Sequence, residues 1–219
     1  MNKVELLAPV GSPSKLKTAL YFGADAVYLG GKQLSLRTFA DNFTVEELSE
    51  AISYAHLMGK KVYVTANVFA RNDDFPFLQE YFQTLASLKA DAVIISDPGV
   101  VYAAKKFAPQ LPIHISTQAN TTNKYAVKFW QEQGVSRVIL ARELSLKEIA
   151  EIHEFAPDME LEAFVHGAMC ISYSGRCLLS DYLDGRSSNR GACVQACRWR
   201  YEVRALNATN GQSEWLPIE

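Results

Sequence analysis

All four cysteines of this 219-residue chain fall within one stretch, Glu162 to Arg200: Cys170, Cys177, Cys193 and Cys197. None precedes Cys170. Cysteine confined to so short a segment calls for a local chemical reason. Thiolates are soft donors that select zinc or iron–sulfur clusters. The pattern is Cys-x6-Cys-x15-Cys-x3-Cys. Structural zinc sites usually bring their ligands in CxxC knuckles, and no gap here is two residues, which argues against zinc. Cys193 and Cys197 are four apart, so on a helix they would share a face. Gly167 and Gly175 loosen the backbone near the first pair, where a chain would wrap a bulky inorganic centre. A four-thiolate 4Fe–4S cluster is consistent with this set. Other readings compete. Two disulfides would suit a secreted protein. Inert buried cysteines would be scattered. A catalytic thiol could use His166 as its base, although four cysteines with no favoured member suit ligation better.

The same stretch carries Arg176, Arg186, Arg190, Arg198 and Arg200 against Asp181 and Asp184, with Tyr173, Tyr182 and Trp199 interleaved. A local positive surface with aromatics suits RNA phosphates and splayed bases. A solvated loop with surface salt bridges has the same composition. The formal charge of the whole chain is −2, so no global field draws it to nucleic acid and any basic surface is local.

The elements that must position these residues come earlier. From residue 4 to 167 a short apolar run repeatedly precedes a stretch of helical period. The runs are Val4–Val10, Ala26–Gly30, Lys61–Asn67, Ala92–Ser96, Ile113–Gln118, Arg137–Ala141 and Glu160–Val165. Between them, Ser12 or Ser14 caps a first helix with Pro13 in its opening turn. Thr44 with Glu47 forms one capping box, and Ser145 with Glu148 another. Asp73 and Asp74 open a further helix. Strands alternating with helices imply parallel βαβ units, and strands apolar along most of their length expect cover on both faces. A doubly wound sheet would want a phosphate fingerprint after the first strand, which Pro9-Val10-Gly11-Ser12-Pro13 is not. Seven units with short connections fit a TIM-like (β/α) barrel better, with the eighth unit missing from this chain. The expected division is a barrel-like domain over residues 1–168 and a Cys/Arg-rich segment with its tail over 169–219, packed on the barrel. Trp199–Leu206 alternates as a strand and pairs with the tail in a hairpin, while nothing in Leu216 to Glu219 reads as a closing element.

In parallel barrels chemistry collects where strands end. Candidate substrate-binding residues there are Gly30, Gly31 and Lys32, Arg37 and Asn42 in the long second loop, Asn67, and Gln118 beside Ser116, Thr117 and Asn120. Arg176, Arg190 and Arg198 join them from the cysteine stretch. Arg142 and Glu143 end the sixth strand and His166 follows the seventh; these three are the candidate catalytic residues. Together they would line a polar mouth able to hold a small polar molecule or a nucleotide. Asp97 before Pro-Gly and Asn42 before Phe-Thr also read as plain turn residues.

Several blocks resemble the U32 peptidase family, also called collagenase-like. They are Glu162-Ala163-Phe164-Val165-His166-Gly167-Ala168-Met169-Cys170, Ser174-Gly175-Arg176-Cys177-Leu178-Leu179-Ser180, Glu5–Gly11, Ala24–Gly31, Arg37–Phe43 and Arg190-Gly191-Ala192-Cys193 through Cys197-Arg198. The resemblance runs from residue 4 to about 204 and implies a barrel-like domain with an oxygen-sensitive 4Fe–4S cluster. It further implies hydroxylation of RNA bases, of a tRNA or a ribosomal RNA, with prephenate as a hydroxyl source; other members act on the ubiquinone ring. Cys170, Cys177 and Cys193 fall on family ligand positions. The fourth ligand is either Cys197 or a cysteine downstream of this chain. The peptidase label finds no HExxH or GxSxG motif; His166 and Ser180-Asp181 are its only local candidates. A third reading is a binding protein with a structural metal site.

The start, Met1 to Pro13, lacks the apolar run and cleavage site of a signal peptide, and no window of about 18 apolar residues reads as a membrane span. The sequence therefore predicts a cytoplasmic chain with reduced thiols and no membrane partner.

Overall fold

The computed structural model describes residues 4–32, 42–206 and 213–217, with backbone alone for the last two strands. Seven parallel strands lie side by side in chain order. They are β1 (Leu7–Pro9), β2 (Ala26–Gly30), β3 (Lys61–Ala66), β4 (Ala92–Ile95), β5 (Ile113–Ile115), β6 (Arg137–Ile139) and β7 (Glu160–Glu162). The helices between them are α1 (Pro13–Tyr21), α2 (Val45–Leu57), α3 (Leu78–Ser87), α4 (Pro98–Phe107), α5 (Lys124–Glu132) and α6 (Leu146–Phe155). A doubly wound sheet reverses its strand order at a switch point; this sheet never does, and only the barrel topology remains.

Strand alternation sorts the side chains into two cores. Val27, Leu29, Val62, Val64, Val93, Ile95, Ile113, Ile115 and Val138 face outward and pack under the helices with Leu16, Ile52, Phe82 and Val127. Ala26, Tyr63, Ala92, Ile94 and Ile139 face inward, joined by Leu7 and Tyr28, and fill the bore. The sheet is strongly curled. On a flat sheet β1 and β6 would stand about 24 Å apart, five spacings of roughly 4.8 Å. Yet Nη1 of Arg137 at the start of β6 lies 2.7 Å from Oε1 of Glu5, just before β1.

The helix starts follow local chemistry. Ser12 caps α1 with Pro13 in its first turn, and the expected boxes form at Thr44/Glu47 and Ser145/Glu148, each cap stabilising by about 1 kcal/mol. Asp97 does more than turn the chain: its Oδ1 accepts from the N–H groups of Gly99 (2.7 Å) and Val100 (3.1 Å), capping α4. Asp73 and Asp74 open not an α-helix but a 3₁₀ stretch, Asn72–Phe77, before α3 begins at Leu78. Pro76 has no N–H to give an α-type ladder there.

Most strands end sooner than their apolar runs. β5 stops at Ile115 because Ser116 caps a 3₁₀ turn over Thr117–Ala119. β7 stops at Glu162, so Val165 is exposed rather than paired. Beyond β7 come α7 (Leu179–Asp184) and a hairpin of β8 (Glu202–Leu206) with β9 (Ser213–Pro217). A hairpin with the tail was expected; that its second strand takes in Leu216 and Pro217, where no closing element was read, was not. Among the described residues no helix is long and apolar enough to cross a membrane.

Candidate functional site

The bore is closed at the strand starts and open at the strand ends. At the closed end Arg137 is the hub. Its guanidinium donates to Glu160 (2.9 and 2.7 Å) and Glu5 (2.7 Å), approaches Glu162 at 3.4 Å, and sits 5.2 Å from the Tyr63 ring centroid. Tyr63 Oη donates to Glu5 at 2.9 Å. Burial pushes the Glu5 carboxyl up, but the hydrogen bonds from Arg137 and Tyr63 and the charges of Arg137 and Lys61 outweigh it and hold it below the usual range. His114 packs edge-on to Tyr63, at 4.6 Å between centroids. Burial first, then the charges of Arg137 and Lys61, push its pKa down to about 3, so it is neutral.

At the open end lies a cavity of about 250 Å³. Tyr28, Ile94, Ile139 and Phe164 supply apolar surface, and Thr65, Asn67, Ser116, Thr117, Gln118 and Glu162 the polar groups. A second space, of about 180 Å³, shares Asn67 and Gln118 with the first and is edged by Gly175, Arg176 and Asn189 of the cysteine stretch. The Gln118 side chain is thus a partition: Oε1 accepts from Ser116 Oγ at 3.0 Å. Asn120, in the left-handed region (φ 54°), donates through Nδ2 to the carbonyls of Gln118 (2.9 Å) and Ser174 (3.0 Å).

These contacts belong to a set that ties the cysteine stretch onto the barrel mouth. Arg142 donates to the Ala168 carbonyl (2.9 Å) and Ser174 Oγ (2.6 Å), and its guanidinium lies 5.9 Å from the Phe164 ring centroid. Arg190 forms a two-pronged pair with Asp74 (2.8 and 3.0 Å) and donates to the Phe69 carbonyl (2.6 Å). The Phe69 N–H donates to the carbonyl of Asn189 at 3.0 Å. Gly175 has φ +73°, and a Cβ there would stand 3.1 Å from that of Gln118; both the backbone angle and the close approach require glycine.

Asn67 and Gln118 stand at the mouth as expected. Arg176 edges the adjoining space. Gly31 and Lys32 instead line a separate cavity of about 290 Å³ between α2 and α3, with Phe43, Leu48 and Tyr81. Gly30 is buried in β2, its carbonyl accepting from the N–H of Phe43. Asn42 is half-buried and precedes α2; Arg37 lies outside the described residues. Arg198 is exposed in a 3₁₀ turn. His166 and Glu143 are exposed, and no described hydrogen bond joins either of them to Arg142. Sequence reading missed Glu162, Arg137, Glu5 and Tyr28. The available signal was a charge within the β6 and β7 runs: an arginine or glutamate at an inward strand position needs a partner across the bore.

The four thiols are free. Cys177 is half-buried and its carbonyl accepts from Ser188 Oγ (2.7 Å) and Asn189 Nδ2 (3.1 Å). Cys193 Sγ accepts from the N–H of Gln195 at 3.3 Å. Among the described residues no three His, Cys, Asp or Glu side chains are grouped to hold a metal ion. The donor chemistry suits a cluster, but the side chains as placed do not form its cage. Ser180, which with Asp181 and His166 made up the local candidates for peptidase chemistry, is buried; its Oγ donates to the Arg186 carbonyl (2.6 Å) and accepts from the N–H of Val194 (3.2 Å). It serves the fold of the segment.

Fold and site together define a curled (β/α) barrel with its cavity at the strand ends. The sequence matches the profile of Peptidase family U32 over residues 11–216, and the chain belongs to that family. A tRNA hydroxylation protein P1 of Bacillus subtilis is 47% identical over 209 residues, 95% of this chain and 49% of that protein. A collagenase of Porphyromonas gingivalis is 34% identical, over 93% of this chain and 51% of that protein. The chain thus spans about half the length of these relatives. The solved structure of the U32 peptidase Mk0906 shares the fold, with a TM-score of 0.61 at 18% identity over 74% of this chain and 68% of that one.

Proposed function

We propose that this chain is the barrel portion of an RNA-modifying protein that hydroxylates a base, with tRNA as substrate. The observation that carries the reading is the polar-walled cavity at the strand ends, edged by the arginine-bearing cysteine stretch. The naming of the B. subtilis relative supports it. A splayed base would enter the bore beside Phe164, Arg176 and Arg198 would meet phosphate, and Asn67 and Gln118 would hold the base edge. Nucleoside mass spectrometry on tRNA from cells with and without the gene tests this. Loss of a signal 16 mass units above a parent nucleoside is expected on deletion; an unchanged nucleoside profile in tRNA and ribosomal RNA refutes it.

A 4Fe–4S cluster on Cys170, Cys177, Cys193 and Cys197 is part of the same proposal, and would supply electron-transfer or donor-activating chemistry. It requires the four thiols, which are not grouped among the described residues, to come together. Anaerobic reconstitution should yield about four irons per chain, and a colourless, iron-free product counts against it. Prephenate, as hydroxyl donor, and a cytoplasmic location belong to the same reading. A peptidase reading has the P. gingivalis relative behind it; gelatin cleavage that survives Cys170→Ala and stops with His166→Ala would favour it.

A further inference from the structure

Residues 98–131 contain no aspartate or glutamate, the longest such run in a chain whose net charge is −2. They do contain Lys105, Lys106, Lys124 and Lys128. The fold turns this run into two neighbouring helices of the outer layer, α4 and α5, on either side of β5 in sequence. All four lysines are exposed. Lys105 Nζ reaches from α4 to the Gln133 carbonyl at the end of α5 (2.9 Å), so the two helices stand side by side. Lys128 Nζ donates to Gln131 Oε1 at 3.0 Å. Both acceptors are neutral. The described ion pairs use Lys60, Lys61 and Lys147 but none of these four, so the face keeps its positive charge.

Rings interleave with the charges. Tyr125 and Phe129 are exposed on α5, and Tyr125 meets exposed Phe155 of α6 at 5.2 Å between centroids. Lys124 Nζ lies 5.8 Å from the Tyr125 centroid and 5.1 Å from that of Phe155. Spacings of four place Lys124 over Lys128 and Tyr125 over Phe129, so a strip of charge runs beside a strip of rings. Proteins that hold single-stranded nucleic acid combine these two features. The strip also starts at the mouth. α5 opens at Lys124, four residues after Asn120, which holds the Ser174 carbonyl of the cysteine stretch. Four residues span about 14 Å at most. Carboxylates resume only at Glu132, which ends α5, and on α6 at Glu148, Glu151 and Glu154.

We infer that the outer face of α4 and α5 is a docking surface for the RNA chain beyond the base being modified, with the lysines on phosphates and the rings under unpaired bases. This rests on the RNA-substrate reading above and says where the rest of that substrate lies. Arg142 and Arg190 at the mouth already have partners in Ser174 and Asp74, which leaves the more distant phosphates to other cations. A second copy of the chain fits the face poorly. A two-fold interface would set the same lysines against each other, and facing like charges cost several kcal/mol.

Fluorescence anisotropy with a dye-labelled, unmodified tRNA transcript, repeated over a salt series, tests this. Replacing Lys124 and Lys128 together by glutamine removes two phosphate contacts. The slope of log affinity against log salt should become shallower by about 1.5–2, and binding at low salt should weaken about tenfold. Tyr125→Leu keeps an apolar side chain against Phe155 but removes the stacking ring; binding should weaken about fivefold or more with the slope unchanged. Lys147→Gln on α6 removes a lysine already paired with Glu151 and should change neither quantity. A double variant that matches the wild type in slope and affinity overturns the inference, as does a loss no larger than that of Lys147→Gln. It is also overturned if light scattering shows a wild-type dimer that the same substitutions make monomeric while tRNA binding is unchanged, because the face then belongs to a second copy. A wild-type chain that binds no tRNA even at low salt removes the RNA reading itself and the inference with it.

Discussion

Replacing Arg137 with methionine tests whether the bore depends on its charged floor. The substitution keeps the apolar stem over Tyr63 and removes the guanidinium, whose side chain is only 10% exposed. Three carboxylates lose their common partner. Glu160 is 63% exposed, so its share is screened by solvent and small. Glu162, 19% exposed, is left a partly buried charge without the guanidinium, and Glu5, at 25%, keeps only the Tyr63 hydroxyl and a 3.6 Å pair with exposed Lys61. Breaking a buried pair costs about 3–5 kcal/mol, and partial exposure places this case near the lower end, about 3 kcal/mol. For a chain of this length that lowers Tm by roughly 6–12 °C. The pH dependence adds a second check. In the wild type Glu5 is held below its usual range, so its stabilisation is present above about pH 4.5 and is lost as pH falls through the folded value. In the variant burial acts on Glu162 without Arg137 to oppose it, and Glu5 loses the largest cause that lowered it, so the deficit is largest at neutral pH and shrinks as acid neutralises them. Urea unfolding of both proteins at pH 7.5 and 5 measures this. A deficit under 1 kcal/mol, or one that stays constant between the two pH values, would refute the account.

Gly175→Ala forces a side chain into the left-handed backbone region and against Gln118. About 1–2 kcal/mol of strain is expected, seen as faster proteolysis within residues 164–200 while barrel fragments stay intact. Asp74→Ala removes both prongs of the Arg190 pair and the acceptor for the Arg71 N–H; the same proteolysis should accelerate several-fold. Arg190 first, then the Arg71 N–H, holds the Asp74 carboxyl below its usual value against burial. Wild-type protection should therefore persist above about pH 4 and be lost as pH falls through the depressed folded value.

What could be read from sequence was mostly local. Thr44 with Glu47 and Ser145 with Glu148 announce their helices because both partners lie within one turn. The seven apolar runs give the strands because β-branched residues covered on both faces leave little ambiguity. Strand ends were less legible. Gln118 and Val165 continue apolar or extended patterns, yet ladder pairing stops where the chain turns to build the mouth. The floor of the bore was illegible for another reason. Glu5 and Arg137 meet across 132 positions of sequence, a contact decided by how far the sheet curls. Arg142 was a catalytic candidate because it ends the sixth strand, and Arg190 a substrate-binding one because arginine suits phosphate. Their contacts with Ser174 and Asp74 could not be read beforehand, because loops brought together only in the folded chain set them.

Gln118 stands between two rooms and also receives Gly175 against its stem. A larger or smaller residue there would reshape both chambers and unsettle the loop that rests on it, all at once. Anyone re-engineering the mouth would have to redesign the bore and the seating of the thiol-bearing loop as a single unit.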